Sequence, residues 1–319
     1  MPNDVFDTPP TTLGGARFAP DDPQTPQGAP EREFTVKERS QAQLVFRRFL
    51  QHRLAMISLV VFVLIILFAY LGAAIWKYNA ADITDQNSAP PSGDHPFGTD
   101  AVGHDTLAQV MRGTQISLQI SILVAIFATV VGTVWGAVAG YYRGWLDTVL
   151  MRIADLVLTL PLLAVAAVLG HQSGGTWWLI AVVIGGLYWA YVSRVARGVV
   201  LSLREKEFVE ASKALGASDS RIIFRHLVPN ALGAIIVNLT ILVSIAILLE
   251  TALSFLGFGV QPPDTSLGLL VSSAQTAIDT RPWLFYFPGI FIILIALTIN
   301  FIGDGLRDAF DPQQTKVRA

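Results

Sequence analysis

The 319-residue chain contains no cysteine. That removes disulfide frameworks, cysteine metal sites, thiol nucleophiles and lipidated-cysteine anchors together. Charge is scarce as well. Asp, Glu, Lys and Arg make up 14% of residues, against about 25% in soluble globular proteins. The deficit is uneven, because several long stretches carry no charge. Net charge is −2, so nothing points to nucleic acid. The five histidines lack ligand-like spacing, and no metal site is expected. Two further motifs are missing: a G-x-x-x-x-G-K-[ST] phosphate loop and an H-E-x-x-H pair. Without them, and without a Ser/His constellation, the chain assigns no catalytic residue and reads as non-enzymatic.

Hydrophobic residues, 52% of the chain, fill the space instead. A helix needs about 20 apolar residues to cross a bilayer core of about 30 Å. Six runs approach that length: 54–76, 116–140, 148–169, 177–196, 231–257 and 284–302. The expected fold is all-α, a polytopic membrane protein of six transmembrane helices. Six spans put both termini on one side. With that side inward, 19 of the 22 Lys and Arg residues lie inside, and only Lys77, Arg112 and Arg281 lie outside. The positive-inside rule therefore expects both termini in the cytoplasm.

The flanks and spans carry local expectations. Residues 1–33, rich in Pro, Asp, Gly and Thr, read as a disordered cytoplasmic tail and not a cleavable signal. Residues 313–319 read as a second cytoplasmic tail. Residues 34–53 read as an amphipathic helix on the inner membrane face, with Val45 and Phe49 one turn apart among Arg47, Arg48, His52 and Arg53. A solvated basic flank is the plainer alternative. Gly132, Gly136 and Gly140 have the spacing that lets a second helix approach closely, or reflect ordinary glycine abundance in membrane helices. Asp155 sits one turn from Arg152 near an inner span end, which predicts an ion pair or, alternatively, a translocation role. Glu250 is expected either to face a water-filled path or to sit at the outer interface. Trp76, Trp177, Trp178 and Trp283 fall at outer boundaries, as an aromatic belt would.

The segment 203–229 is the most informative. Residues 205–215 lack Gly and Pro, and Phe208, Ala211, Ala214 and Leu215 fall near one face. Gly216 can end that helix in the left-handed conformation. Ser218 can cap a second helix over 219–228, with Asp219 in its first turn. Pro229 should end or bend it. Small Ala211 and Ala214 allow close docking, and Glu210 offers a charge to a partner. The residues alone predict a cytoplasmic docking element, with no partner named.

The run Glu210-Ala211-Ser212, then Gly216, then Val228-Pro229 resembles the EAA loop of importer-type ABC permeases. Ser212 replaces the second Ala, and Val precedes the Pro where Leu is common. Further segments resemble one branch, the second permease of dipeptide, oligopeptide and nickel importers (DppC/OppC-like). These are His95-Pro-Phe-Gly-Thr-Asp100, Gly103-His-Asp105, Leu253-Ser-Phe-Leu-Gly257, Gly259-Val-Gln-Pro-Pro263 and Gly303-Asp-Gly-Leu-Arg-Asp308. The branch often has Arg where this chain has His104. The resemblance covers about residues 40–312.

The resemblance implies a type I ABC importer permease in a prokaryotic plasma (inner) membrane. It implies a coupling helix that enters a groove on an ATP-hydrolysing subunit, with Glu210, Ala211, Ser212, Ala214, Leu215, Gly216 and Pro229 as the coupling residues. The implied partners are a second permease subunit (DppB/OppB-like), two ATPase subunits holding ATP and Mg, and an extracytoplasmic solute-binding protein that meets loops 77–115 and 258–283. No cofactor is expected on this chain. Peptides are the expected cargo; nickel or another small solute is the alternative. An ion channel or secondary transporter is a remote one, because Asp155 and Glu250 lie away from midspan.

Overall fold

The computed structural model describes residues 41–172 and 174–310. Both expected tails, and residues 34–40 of the expected amphipathic helix, lie outside them. Among the described residues the regular elements are helices, apart from two isolated bridges, Ile83 with His104 and Thr99 with Asp105. In chain order they are α1 (Gln41–Gln51), α2 (Arg53–Ile75), α3 (Thr106–Tyr142), α4 (Gly144–Thr159), α5 (Leu162–Gln172) and α6 (Trp177–Arg204). Then follow α7 (Glu207–Ala214), α8 (Asp219–Phe255), α9 (Leu267–Ser273) and α10 (Trp283–Phe310).

Five of these, α2, α3, α6, α8 and α10, are long and apolar enough to cross a membrane, and α4 with α5 makes a sixth if the bent pair is one span. The expected straight span over 148–169 is corrected here. The chain turns by 80° between α4 and α5. Pro161 explains the break: it pushes Leu160 out of the helical region, to φ −70° and ψ 135°. Several spans also run past their expected ends, because a helix continues into water wherever neighbours cover it. α3 reaches from Thr106 to Tyr142, and α6 continues to Arg204.

The α3–α6 contact is the most extensive in the molecule, and its cause is in the glycines. A Cβ at Gly132 would lie 2.6 Å from Trp189 O, and one at Gly136 would lie 2.2 Å from Ser193 O. Only hydrogen side chains let the two backbones meet so closely. The main core joins Ile116, Ile120 and Val124 of α3 to Ile180 and Ile184 of α6, Leu242 and Ile247 of α8, and Ile295 of α10. Large apolar side chains such as Ile57, Leu64 and Leu71 on α2 remain exposed, as lipid contact requires.

α1 departs from expectation in its facing. Phe49 is buried with Ala55 and Ala309, and Val45 packs against the same small cluster, so this pair is turned onto α2 and α10. Leu44, Phe46 and Leu50 are the exposed apolar residues instead. His52 starts α2 by accepting a hydrogen bond from Ala55 N–H (3.2 Å), and its other ring nitrogen lies 3.4 Å from Asp308.

At the end of the molecule opposite α7, the motif residues around His95 and Asp105 form a buried knot. Asp105 accepts from Ala108 N–H (2.8 Å), capping α3, and from Trp76 Nε1–H (3.1 Å). His95 Nδ1 lies 2.7 Å from its second oxygen. Trp76 is thus tied to a carboxylate, a role the belt reading did not contain. His104 bonds Asp100 (2.8 Å), while Asp100 also gathers the backbone N–H groups of Val102, Gly103 and His104. A cleft of about 750 Å³ opens beside this knot, between the loops expected to meet a capture protein.

Candidate functional site

The segment after α6 is built as an elbow. α6 ends at Arg204, and Glu205 pairs with Arg143 at the α3–α4 turn. α7 then forms over Glu207–Ala214, with Glu207 and Glu210 in its first turn and Lys213 in its last, the order the helix dipole favours. Leu215 and Gly216 close it. Gly216 takes φ 76°, its N–H bonds Lys213 O (2.9 Å), and Ala217 N–H reaches back to Ser212 O (3.1 Å). That pair of bonds is the Schellman stop that a left-handed glycine allows.

Two expectations on the far limb are corrected. Ser218 opens α8 by backbone geometry, with no capping bond from its side chain. And Pro229 does not end the helix, which runs on to Phe255. The turn before it, Ile222–Leu227, is widened to a π-helix in which Val228 N–H bonds Ile223 O. A widened turn relieves the clash a proline ring makes with the carbonyl four residues back. Asn230 covers the neighbouring His226 carbonyl (2.6 Å).

The elbow rests on its own small core. Val209 of α7 is fully buried against Ala137 and Tyr141 of α3, Val200 of α6, and Ile222, Ile223 and Leu227 of α8. Most of the rest of α7 faces away, except Lys213, whose ammonium stands over the Tyr141 ring. Glu210, Ala211, Ala214 and Gly216 are exposed, Ser212 is half-buried, and Leu215 is 88% exposed. Six of the seven sequence-expected coupling residues therefore share one protruding element. Pro229 lies apart, in α8, lining a shallow groove with Ser218, Arg221, Phe224 and Arg225. Chemically the surface is an apolar ridge with Glu207 and Glu210 beside it, and among the described residues these two carboxylates have no partner.

The intramembrane candidates fall elsewhere. Asp155 pairs with Arg194 of α6 and not with Arg152. One step along, Asp147 takes a two-pronged bond from Arg197, at 2.6 Å for each prong. α4 lies against α6, so an arginine across the interface is better placed than the one a turn away. Arg152 lines the cleft of about 490 Å³ between these pairs. Glu250 faces neither a water path nor the interface. It is fully buried, held by Ser254 Oγ–H (2.7 Å) and Ser117 Oγ–H (3.2 Å), because α3 and the start of α9 close over it. Ser117 Oγ also accepts Leu267 N–H (3.1 Å), joining α3, α8 and α9 at one point.

Sequence reasoning missed Tyr141 and Arg204 at the elbow. Tyr141 donates to Asp219 (2.6 Å), and Lys213 and Arg204 stand over its ring. No local spacing signals a contact between residues 141 and 219.

The family model for the binding-protein-dependent transport system inner membrane component matches residues 132–316, more than half of the chain and all of the elbow. The chain belongs to this family. A second model, the N-terminal TM domain of oligopeptide transport permease C, matches residues 40–91 of the permease. The oligopeptide transport system permease protein OppC of Mycobacterium tuberculosis is 41% identical over 284 residues, 88% of this permease and 97% of that protein. OppC of Escherichia coli K12 is 43% identical over 281 residues, 87% and 93% of the two chains. A putative peptide permease of Brucella suis is 43% identical over 271 residues, 83% and 89%. Among solved structures, the inward-facing MetNI methionine ABC transporter matches with a TM-score of 0.53 and 17% identity, covering 64% of this permease and 97% of that chain. That likeness speaks for the fold, an all-α ABC importer permease. The protein is thus a multi-pass, non-catalytic membrane component of an ABC importer, whose ATPase is a separate part of the system.

Proposed function

We propose that this permease forms half of a peptide translocation path and is driven through α7 by separate ATPase subunits. The observation that carries the reading is the elbow itself. A short helix anchored by one buried residue, Val209, presents Glu210, Ala211 and Leu215 outward, within the region that the family model covers. Ala211, Ala214 and Leu215 lie exposed together, an apolar surface small enough in its side chains for a partner to approach closely. Peptide cargo is supported by the names of the relatives, oligopeptide and peptide permeases, at 41–43% identity over most of the chain.

In this reading a second permease of the DppB/OppB type completes the path. Two ATPase subunits, carrying ATP and Mg, grip α7 on the cytoplasmic side of a prokaryotic plasma membrane. A solute-binding protein delivers cargo at the opposite end, against the cleft beside Asp100 and Arg112. Both termini lie in the cytoplasm, on the basic side of the molecule. The grip on α7 must differ between the inward-open and outward-open states, since equal affinity for both shifts nothing.

The test is a purified complex in proteoliposomes, assayed for ATP hydrolysis stimulated by the peptide-loaded binding protein. Leu215→Asp should abolish stimulation while the permease still inserts, because the side chain touches little within its own chain. Undiminished stimulation in Leu215→Asp would remove the docking role. Uptake of nickel without uptake of short peptides would remove the cargo assignment.

A further inference from the structure

The covalent link between α7 and α8 is a short turn. It runs through Leu215–Ser218 and includes Gly216, the residue type with the widest backbone freedom. α7 adds only one buried side chain, Val209, to hold it in place. That link leads from α7 to α8 alone, so a push on α7 reaches other spans only through side-chain contacts.

Tyr141 supplies such contacts. It sits in the last turn of α3 and is 5% exposed. Its hydroxyl donates to Asp219, the first residue of α8, at 2.6 Å. Over its ring stand Lys213 Nζ of α7, 5.4 Å from the centroid, and the Arg204 guanidinium at the end of α6, 5.7 Å away. One side chain therefore touches the ends of two spans, the coupling helix and the helix that follows it. A phenol-to-carboxylate bond of this length is charge-assisted, stronger and more directional than a neutral one. Beneath it the apolar cluster of Ala137, Val200, Val209 and Ile223 fills the space between the same four elements.

We infer that Tyr141 is a positioning residue for coupling: its hydroxyl ties the start of α8 to α3 through Asp219, on a ring that Lys213 of α7 and Arg204 of α6 also cover, so that motion entering at the elbow reaches α3 and α6 as well as α8. This rests on the coupling role proposed above. It makes the elbow a braced lever, whose fulcrum is a side chain far outside segment 203–229.

The test uses the full complex in proteoliposomes and reads uptake of labelled short alanine peptides per ATP hydrolysed. Tyr141→Phe keeps the ring and its cations and removes only the hydroxyl. Asp219→Ala removes the acceptor from the exposed side. Each should lower peptide imported per ATP by about fivefold or more, the lower range of coupling between sites. Assembly and basal hydrolysis should persist. The double variant should be no worse than Asp219→Ala alone, because removing the acceptor already breaks the Tyr141 bond, along with Asp219's contact with Tyr142. A wild-type ratio in Tyr141→Phe, or losses that multiply in the double variant, would overturn the inference. If Tyr141→Phe does not assemble, Asp219→Ala decides by the same ratio. An unaltered complex that shows no ATP-driven peptide uptake would overturn the coupling reading as well. A wild-type ratio in the variants, with ATP-driven uptake intact, overturns only the role of Tyr141.

Discussion

Glu250 illustrates how a single residue can look functional in a sequence and serve another purpose in three dimensions. A carboxyl group removed from water must have its oxygens occupied. Here Ser117 and Ser254 donate to it, and Ser117 in turn receives the Leu267 N–H. The group therefore pins α3, α8 and the start of α9 together. Glu250→Ala should leave two buried hydroxyls without their acceptor and cost about 2 kcal/mol, from the range for unsatisfied buried groups. Thermal unfolding in detergent should show a lower midpoint for Glu250→Ala and a smaller drop for Glu250→Gln, whose amide oxygen still accepts. Equal midpoints for Glu250→Ala and the unaltered protein would show that the serine contacts carry no stability.

At the scale of the element, glycines act by two separate mechanisms, and the elbow uses the conformational one. Gly136 is required because another backbone lies where its side chain would be. Gly216 has open space around its missing Cβ but a φ of 76°. Its substitution therefore costs torsion alone, about 1–2 kcal/mol for an L-residue in the left-handed region. A β-branched residue is worse placed still, while Asn tolerates that region. Gly216→Val should tilt α7 off its seat and sharply reduce binding-protein-stimulated ATP hydrolysis, with membrane insertion unchanged. Gly216→Asn should retain most of it. Matching losses for Val and Asn would mean that the left-handed turn is not what matters. Pro161 and Pro229 make a related contrast. Both were visible in the sequence, yet Pro161 breaks its span by 80°, whereas Pro229 sits inside an unbroken helix behind a widened turn. A proline's effect depends on whether the preceding turn can open to accept the ring.

For the molecule as a whole, the proposed sidedness rests on the count of Lys and Arg on each side. The elbow carries Arg204, Lys206, Lys213, Arg221 and Arg225, though Glu205, Glu207, Glu210 and Asp219 nearly balance them, and the opposite end is acidic around Asp82, Asp85, Asp94 and Asp100. At that acidic end Lys77 and Asp94 form an exposed pair (2.8 Å), and their hydrogen bond raises the lysine and lowers the aspartate from their ordinary pKa values. The absence of native cysteine makes the orientation directly measurable. A membrane-impermeant maleimide should label Asp85→Cys in intact cells and Ser220→Cys only in inverted vesicles. Labelling of Ser220→Cys from outside would reverse the assigned topology and with it the docking side of α7.

The sequence by itself determined the class of the molecule, the positions of most spans and the helix–glycine–helix plan of the elbow. These rest on local quantities: apolar runs long enough to cross a bilayer, helix formers between breakers, and a glycine where a left-handed stop is needed. A close helix approach at Gly132, Gly136 and Gly140 was also legible from their spacing, but not that α6 would be the partner. Only the tertiary structure decided who pairs with whom. Asp155 found Arg194 instead of Arg152, Glu250 found serines from other elements, Val45 and Phe49 turned onto α2 and α10, and Tyr141 reached Asp219. Each of those choices depends on the distance and rotation between helices remote in the chain, and these are set by packing the core as a whole. No run of neighbouring residues encodes that information.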